Sequence, residues 1–390
     1  MTGQVTLVKR RPWLSRRNLC ATALQQLLIT GSSVLLLMRQ SCKTRTAVGK
    51  SCAVVAHAAA LPWIRPVTNN CIGDTQWSQA RTSLITKSQK EQSMPTLAWL
   101  GLGLMGNPMS KHLIKAGYTV RGYDIDAGAC ERAAANGVKV AKTIAEAVAD
   151  ADVVYSMLPS GSDVHDVMTR ADGVFASARK GTMVIDCSTI GIDYARKLHV
   201  AADAKGVVFV EAPVSGGTEG ARDATLTFMI GCEQKHASKA KEMLQPLGDY
   251  IAYVGGAGTG QAAKVVNNLI MGVSVTVNCE ATALGQRLGL DMKEFFEIAT
   301  RSSADNWSLR LWNPAPNVVP DAPSSRGYAA GFKTWLLAKD LHLAIEAGKE
   351  VGAELRTAEI AHQLMTEHSD TGGHDLDATS LVLHLNGGKK

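Results

Sequence analysis

The stretch Thr96-Leu-Ala-Trp-Leu-Gly-Leu-Gly-Leu-Met-Gly106 decides how the folded part of this chain begins. Its first five residues form a short apolar run, which predicts a buried β-strand. Three glycines then follow with the spacing G-x-G-x-x-G, and the residues from Asn107 to Ala116 have the apolar periodicity of a helix. The sequence therefore predicts a strand, a tight glycine-rich turn and a helix in direct succession.

The three glycines have separate tasks in such a turn. Gly101 permits the tight bend, Gly103 allows a pyrophosphate to approach the backbone, and Gly106 lets helix and strand pack closely. The pyrophosphate then lies at a helix N-terminus, where backbone N–H groups favour an anion. We therefore predict a dinucleotide-binding loop made of Gly101, Leu102, Gly103, Leu104, Met105 and Gly106.

An acid stands where this site would meet the ribose of the cofactor. Residues Tyr118 to Tyr123 predict a second strand, and Asp124 follows it, 23 residues after Gly101. A carboxylate here accepts hydrogen bonds from the ribose hydroxyls and repels a 2′-phosphate, so NAD is favoured over NADP. The alternative for Asp124 is a solvated acid in a turn.

Strand and helix patterns continue to alternate after this unit. Further strands are predicted at 152–158, 182–187, 207–210, 225–230 and 250–254. The alternation predicts a Rossmann-like α/β fold with a doubly wound, mainly parallel sheet that binds ligands at the carboxyl ends of its strands. Leu158, Pro159 and Thr189 lie at two such ends and are predicted cofactor contacts, with ordinary loop residues as the alternative.

A glycine-rich segment at 255–260 gives way to helix-forming residues, and the apolar pattern runs on to Leu288. It predicts one helix of about 28 residues, roughly 42 Å long at 1.5 Å per residue. Beyond it only helical and loop patterns occur. We expect an N-terminal extension over 1–94, an NAD-binding Rossmann domain over 95–257 and an all-helical domain for substrate binding and dimerisation over 258–390.

Two polar residues on this helix are candidates for the chemistry. Lys264 and Asn268 are four residues apart and therefore share one helix face near the N-terminus of the helix. Lys264 is predicted to lie in the first turn. The helix dipole disfavours a cation there, and together with burial it lowers the pKa of a lysine toward the range useful for proton transfer. The alternative for Lys264 is an exposed helix lysine.

A second glycine turn follows the predicted strand at 207–210. In the sequence Glu211-Ala-Pro-Val-Ser-Gly-Gly217, the residues Ser215, Gly216 and Gly217 can present consecutive backbone N–H groups to an anion. Such a turn suits the carboxylate of a substrate. The alternative is a plain turn.

The first ninety residues differ in composition from the rest. They contain 13 Lys and Arg but only one acid, Asp74. Arginines ahead of a mostly apolar run at 24–38, with frequent Ser and Thr, resemble an organellar transit peptide. We expect import into the mitochondrial matrix, with a plastid as the open alternative. Polar residues interrupt the run, which falls short of the roughly 20 apolar residues of a membrane span.

The remaining residues carry a net charge of −6, which gives no indication of nucleic-acid binding. The eight cysteines are scattered, and no Cys or His group has the spacing of zinc ligands. We therefore predict reduced, structural thiols and no metal site.

Taken together, these motifs resemble the β-hydroxyacid dehydrogenase family, most closely its 3-hydroxyisobutyrate dehydrogenases. The matching segments are 101–109, 211–217, 225–229, 255–268, 313–314, 331–332 and 338–341. The resemblance implies that Lys264 is catalytic and that Asn268 positions the reacting oxygen. It further implies that Ser215 and Gly216 hold the substrate carboxylate and that Lys339 lies by the cofactor or substrate.

Two positions depart from the family pattern. Glu211 replaces the usual Asp, and Ala304-Asp-Asn-Trp307 replaces the more usual Gly-Arg-x-Trp. The second departure leaves the preferred hydroxy acid open. We expect Trp307 and Trp312 to be core or interface residues.

The activity implied by the resemblance is NAD-dependent oxidation of 3-hydroxyisobutyrate to methylmalonate semialdehyde, a step of valine catabolism, by a homodimer or homotetramer. One alternative is a reductase of glyoxylate, succinic semialdehyde or tartronate semialdehyde. Another is a non-catalytic NAD-binding module, because a fold alone does not fix a function.

Overall fold

A sheet of nine strands forms the first half of the structure, a computed structural model that describes residues 94–387. The predicted targeting segment and the apolar run at 24–38 lie outside the described residues. The strands are β1 (Thr96–Leu100), β2 (Thr119–Tyr123), β3 (Lys139–Val140), β4 (Val153–Ser156), β5 (Met183–Asp186), β6 (Val208–Glu211), β7 (Val214–Ser215), β8 (Thr227–Gly231) and β9 (Tyr250–Gly255).

Strands β1 to β6 are parallel and lie in the order β3-β2-β1-β4-β5-β6. Strand β8 runs antiparallel to β6 and β7, while β9 is parallel to β8. The order reverses between β1 and β4, which is where such sheets open a crevice for ligands.

Eight α-helices of the described part of the chain accompany the strands. They are α1 (Gly106–Lys115), α2 (Ala127–Ala135), α3 (Ile144–Val148), α4 (Gly161–Thr169), α5 (Val174–Ser177), α6 (Ile192–Lys205), α7 (Gly217–Asp223) and α8 (Gln234–Leu244). Six more α-helices follow β9 within residues 94–387. They are α9 (Thr259–Arg287), α10 (Met292–Ala299), α11 (Trp307–Leu311), α12 (Thr334–Val351), α13 (Arg356–His368) and α14 (Leu381–Leu385).

Apolar cores cover both faces of the sheet. On one face Trp99 stacks on Tyr155 with ring centroids 5.1 Å apart, and on the other Phe175 meets Phe209 edge-on at 6.1 Å. Strands buried on both faces have continuous apolar runs rather than alternating ones, which is why the sequence pattern located them.

The helical half has a third core, between α9 and helices α12, α13 and α14. Gly272 allows the close approach of α9 and α12, because a Cβ atom there would lie 2.8 Å from the Cδ2 atom of Leu341. This packing fixes the position of α12 beside the N-terminal half of α9.

The fold class predicted from the sequence is confirmed: a mainly parallel Rossmann-like sheet precedes a helical region. One detail was wrong. Helix α9 begins at Thr259, so Lys264 lies in its second turn rather than its first. Within residues 94–387, no helix combines the length and the apolar composition that crossing a membrane requires.

Candidate active site

A cleft of about 620 Å³ opens between the strand ends and the helical half. It is lined by the glycine loop, by turns that follow β4, β5 and β7, and by residues of α9, α11 and α12. The sequence-predicted site residues in this lining are Gly103, Leu104, Met105, Gly106, Leu158, Pro159, Thr189, Ser215, Gly216, Gly217, Lys264, Asn268 and Lys339. Gly101, Leu102 and Asp124 are not among the lining residues.

The glycine loop has the shape of a phosphate cradle. A Cβ atom on Gly106 would lie 1.8 Å from the carbonyl oxygen of Gly101, and one on Gly101 would lie 2.3 Å from that of Met157. A Cβ on Gly103 would meet nothing within 4 Å, so the backbone there is open to the cleft. The side chain of the N-cap residue of α1, Met105, makes no capping hydrogen bond. The free N–H groups of α1 fit a pyrophosphate.

Asp124 is hydrogen-bonded to the backbone of this loop. One carboxylate oxygen accepts the N–H of Leu102 at 2.6 Å, and the other accepts that of Asp126 at 2.8 Å. A carboxylate oxygen has more than one acceptor site, so both oxygens retain capacity for ribose hydroxyls. The ribose contact of Asp124 remains a prediction.

Lys339 reaches from α12 across the cleft to the sheet. Its ammonium donates to the carbonyl oxygens of Pro159 at 3.1 Å and Thr189 at 2.9 Å. These carbonyls belong to the two turns predicted to contact the cofactor. Lys339 therefore ties the helical half to the strand ends on which the cofactor would lie.

Lys264 and Asn268 are buried, with 8% and 1% of their surfaces exposed. Burial lowers the pKa of Lys264 to about 8, the nearby Asp340 opposes this change, and Lys339 adds to it. The side-chain amide of Asn268 donates to Asp340 at 2.5 Å. The sequence predicted a lowered pKa for Lys264, and desolvation is the largest cause of it. The helix dipole contributes less than expected, because its effect falls off beyond the first turn and Lys264 lies in the second.

Asp340 was missed as a site residue, although its segment belongs to the matched motif. It is 3% exposed and lies 3.1 Å from the ammonium of Lys339. Its position between Lys339 and Asn268 keeps a negative charge beside Lys264. No local spacing pattern links Asp340 to Asn268, because the two residues are 72 positions apart in the chain.

The glycine turn after β7 opens into the cleft. Gly216 has φ = +131° and Gly217 has φ = +62°, and a Cβ on Gly217 would meet nothing within 4 Å. Both positions therefore require glycine conformations. The turn faces the same cleft as Lys264, which is the arrangement that a substrate with a carboxylate and a hydroxyl needs.

Buried polar residues under the cleft were also missed. Gln261 accepts the N–H groups of Ile190 and Gly191 and donates to the carbonyl oxygen of Ser188 at 2.8 Å. Asp186 accepts the hydroxyl of Ser188 at 2.6 Å. Gln261 therefore fixes the turn that contains Thr189 relative to the start of α9.

Glu211, which departs from the family pattern, lies at the N-terminus of α9. It is fully buried and accepts the N–H groups of Gly258 and Gln261. Burial raises its pKa to about 7, against the effect of these hydrogen bonds. The carboxylate thus caps the helix that carries Lys264.

Aromatic side chains form the outer wall of the cleft. Trp307 and Trp312 both line it, with ring centroids 5.4 Å apart, and Trp312 stacks on Phe332 at 6.1 Å. Trp307 is 51% exposed at the cleft, so it is not a core residue, whereas Trp312 packs against Phe332; the expectation of an interface role for either stays a prediction. Aromatic rings at this place exclude water from the reacting groups.

Two family models cover nearly all of the described chain. Residues 96–255 match the NAD binding domain of 6-phosphogluconate dehydrogenase, and residues 258–385 match the NAD-binding domain of NADP-dependent 3-hydroxyisobutyrate dehydrogenase. A probable 3-hydroxyisobutyrate dehydrogenase of Mycobacterium bovis is 41% identical over 281 residues, 71% of this chain and 95% of that protein. This chain belongs to the β-hydroxyacid dehydrogenase family. It is accordingly an oxidoreductase that acts on CH–OH donors with a nicotinamide dinucleotide.

Other relatives differ in the substrate that their names give. The NAD-dependent L-serine dehydrogenase of Pseudomonas aeruginosa is 44% identical over 256 residues, 66% of this chain and 86% of that protein. A solved structure of the Mycobacterium tuberculosis 3-hydroxyisobutyrate dehydrogenase with L-serine is 40% identical, with a TM-score of 0.69, and the match covers 75% of this chain and 99% of that one. These relatives therefore share the family and differ in the hydroxy acid that their names give.

Proposed function

We propose that this β-hydroxyacid dehydrogenase oxidises 3-hydroxyisobutyrate to methylmalonate semialdehyde with NAD. The observation that carries the proposal is the buried Lys264, whose pKa of about 8 lies close to neutral pH, in a cleft that also contains an open glycine loop. A lysine with such a pKa exchanges protons efficiently near neutral pH.

The cofactor and the residues of the cleft have separate roles in the proposed reaction. When bound, NAD supplies the acceptor for the hydride that leaves the alcohol carbon. Lys264 in its neutral form takes the hydroxyl proton, and the resulting ammonium together with the Asn268 amide stabilises the developing charge on oxygen. The N–H groups around Ser215 to Gly217 hold the substrate carboxylate.

The charges in the lining favour a small hydroxy acid with an apolar substituent. Among the described residues, the cleft lining contains Lys264, Lys333, Lys339 and the acid Asp340; Asp340 pairs with Lys339, and Lys333 pairs with Asp375 outside the lining. The acid of this lining is thus already paired, so the lining offers no partner for a cationic substituent. The methyl group of 3-hydroxyisobutyrate fits the aromatic wall, whereas the ammonium of L-serine would need an unpaired acid.

L-serine is nevertheless the second candidate, because the 44% identical relative is named an L-serine dehydrogenase. Both molecules are propanoates with a 3-hydroxyl group and differ only at carbon 2. The test is a comparison of kcat/KM for the oxidation of 3-hydroxyisobutyrate and of L-serine with NAD and with NADP, and for the reduction of glyoxylate with NADH and with NADPH. A higher value for L-serine, or for reduction of glyoxylate with NADPH, would overturn the proposed substrate.

Lys264→Arg separates the enzyme from a non-catalytic cofactor-binding module. The variant keeps a cation of similar length that stays protonated, so it should bind NADH while kcat falls by about 10²-fold or more. If the wild type binds NADH and turns over no hydroxy acid, the module is the correct interpretation.

We also propose that the chain acts in the mitochondrial matrix. The basic, acid-poor composition of residues 1–90 supports this, as do relatives that are named mitochondrial, such as the mouse 3-hydroxyisobutyrate dehydrogenase, 37% identical over 298 residues. A fusion of residues 1–94 to a fluorescent protein should enter mitochondria. Accumulation in plastids or in the cytosol would contradict the proposal.

A further inference from the structure

Helix α11 has five residues, and its first residue, Trp307, belongs to the aromatic wall of the cleft. Isolated helices shorter than about 12 residues are marginal in water, so α11 cannot hold its own position. The place of the Trp307 ring therefore depends on the contacts that attach α11 to the rest of the helical half.

Three side chains attach the start of α11 to α9 by reciprocal hydrogen bonds, and we call them the α11 tie. The amide nitrogen of Asn278, on α9, donates to the side-chain oxygen of Asn306 at 3.1 Å and to the hydroxyl of Ser308 at 2.7 Å. In return, the amide nitrogen of Asn306 donates to the side-chain oxygen of Asn278 at 3.3 Å. The hydroxyl of Ser308 donates to the side-chain oxygen of Asn306 at 2.7 Å. Asn278 and Ser308 are buried, so the loss of either partner is costly.

A backbone group fixes the orientation of both amides. Asn306 is the N-cap residue of α11, and its side-chain oxygen accepts the N–H of Leu309 at 2.9 Å. Since this N–H can only donate, the oxygen of Asn306 must face it. The remaining hydrogen of the Asn306 amide goes to the carbonyl oxygen of Ala304 at 3.1 Å. Every donor of the α11 tie is thus used within the fold, although Asn306 and Ser308 line the cleft.

The acid that departs from the family pattern is turned away from the cleft. Asp305 accepts Nε and Nη2 of Arg310 at 2.5 and 2.7 Å, a bidentate pair whose arginine is mostly exposed. Asp305 is not among the lining residues, whereas residues 306–308 are. Of these three, Trp307 is the one outside the α11 tie. Its ring is therefore the part of α11 that can contact a bound molecule.

We propose that Asn278 is a positioning residue for substrate binding, which acts on the cleft through Trp307. It is not among the lining residues and lies on α9 about 15 Å beyond Asn268, at 1.5 Å per residue. Its amide holds the start of α11 and so keeps the Trp307 ring 5.4 Å from that of Trp312. The inference rests on the proposed function in one respect, namely that the molecule beside this wall is a hydroxy acid. Displacement of the ring then weakens substrate binding and leaves the chemistry at Lys264 unchanged.

Asn278→Leu tests this role, because leucine has nearly the shape of asparagine and forms no hydrogen bond. Asn306 and Ser308 lose their partner, so the KM for the hydroxy acid should rise by about tenfold. The kcat and the affinity for NADH should stay at their wild-type values, as expected when only substrate binding changes. An unchanged KM, or a kcat that falls as much as the KM rises, would overturn the proposal.

The KM is measured with the hydroxy acid that the wild type oxidises best. A wrong substrate assignment therefore appears in the wild type and does not affect the comparison. Asn386→Leu is the matched control, because Asn386 also donates its amide to a side chain of α9, Gln286 at 2.7 Å, but at the far end of the helix. Its KM should equal that of the wild type. An equal rise in both variants would mean that Asn278 has no special role.

A double-mutant cycle tests whether the effect passes through Trp307. Trp307→Ala removes the ring and should itself raise the KM. Addition of Asn278→Leu to this variant should then raise the KM no further, because no ring remains to be displaced. A second tenfold rise in the double variant would show that Asn278 acts by another route, and the proposal would fail.

Hydrogen exchange measures the attachment of α11 without any turnover. The N–H of Leu309 should exchange faster in Asn278→Leu than in the wild type, because its acceptor Asn306 is no longer held. The amides of α1 should exchange at wild-type rates, which also shows that the variant is folded. An unchanged rate at Leu309 would contradict the α11 tie. Since this measurement needs no substrate, it separates failure of the tie from failure of the proposed function.

Discussion

At the scale of single residues, the charge beside Lys264 sets the pH at which the enzyme works. Oxidation needs the neutral amine, so kcat should rise with pH through the pKa of about 8. Asp340 holds that pKa up against burial. Asp340→Asn should therefore lower it, and the midpoint of the kcat profile should move down by about one pH unit.

The pH profiles of kcat for both proteins measure this shift. Asp193→Asn is the control, since Asp193 also pairs with a lysine, Lys197, but on the exposed surface of α6. Its profile should match that of the wild type. A midpoint that moves upward in Asp340→Asn would contradict the assigned effect of the carboxylate.

Sequence motifs located Lys264 and Asn268 but not their neighbours. A helix face is readable from local spacing, so two residues four apart were assigned together. Asp340 and the aromatic wall come from segments far along the chain, and only the packing of α12 and α11 on α9 brings them to the cleft. No local sequence pattern predicts contacts between segments that are so far apart in the chain.

At the scale of elements, substitution by alanine should have different effects on stability at the two cleft-lining glycines of the β1–α1 turn. Gly106→Ala would place a Cβ atom 1.8 Å from a carbonyl oxygen, which should reduce the free energy of unfolding by about 3 kcal/mol or more. Gly103→Ala has open space and should leave stability within about 0.5 kcal/mol of the wild type.

Gly103→Ala should instead weaken cofactor binding, because its methyl group enters the space that we assign to the pyrophosphate. Urea denaturation gives the two stabilities, and NADH titration followed by fluorescence gives the affinities. Unchanged NADH affinity in a stable Gly103→Ala protein would place the pyrophosphate elsewhere.

The start of α9 should make stability depend on pH through Glu211. Its pKa is about 7 in the folded chain against an ordinary value of 4.5, so the folded state holds the proton more tightly than the unfolded state. This stabilisation is complete below about pH 4.5 and is lost as pH rises through 7. At 1.36 kcal/mol per pKa unit the loss is about 3 kcal/mol.

Glu211→Gln does not titrate and isolates this contribution. The difference in unfolding free energy between wild type and variant, measured in urea from pH 5 to pH 8, should move steadily in favour of the variant. Glu233→Gln is the control, since Glu233 is exposed and its partner Lys235 lowers its pKa. A difference that does not vary with pH would mean that Glu211 is not buried as the structure shows.

The elements themselves were largely predictable. Strand β1 and the 29-residue α9 follow the predicted bounds closely because long or fully buried elements have strong patterns. Strand β7 has two residues, which is too short to carry a period. The antiparallel direction of β8 depends on its pairing with β6 and β7, which apolar content cannot encode.

At the scale of the whole molecule, Lys339 joins the helical half to the sheet through two carbonyl oxygens. Lys339→Met keeps most of the side-chain stem but removes the ammonium that donates to Pro159 and Thr189. Both turns should then exchange their amide hydrogens faster, and NADH affinity should fall by about tenfold, because the two turns predicted to contact the cofactor are no longer tied to Lys339. Lys333→Met is the matched control, because Lys333 also lines the cleft but pairs with Asp375 within the helical half. If Lys333→Met loosens the turns as much as Lys339→Met does, the two halves are held together by the cleft as a whole rather than by this one cation.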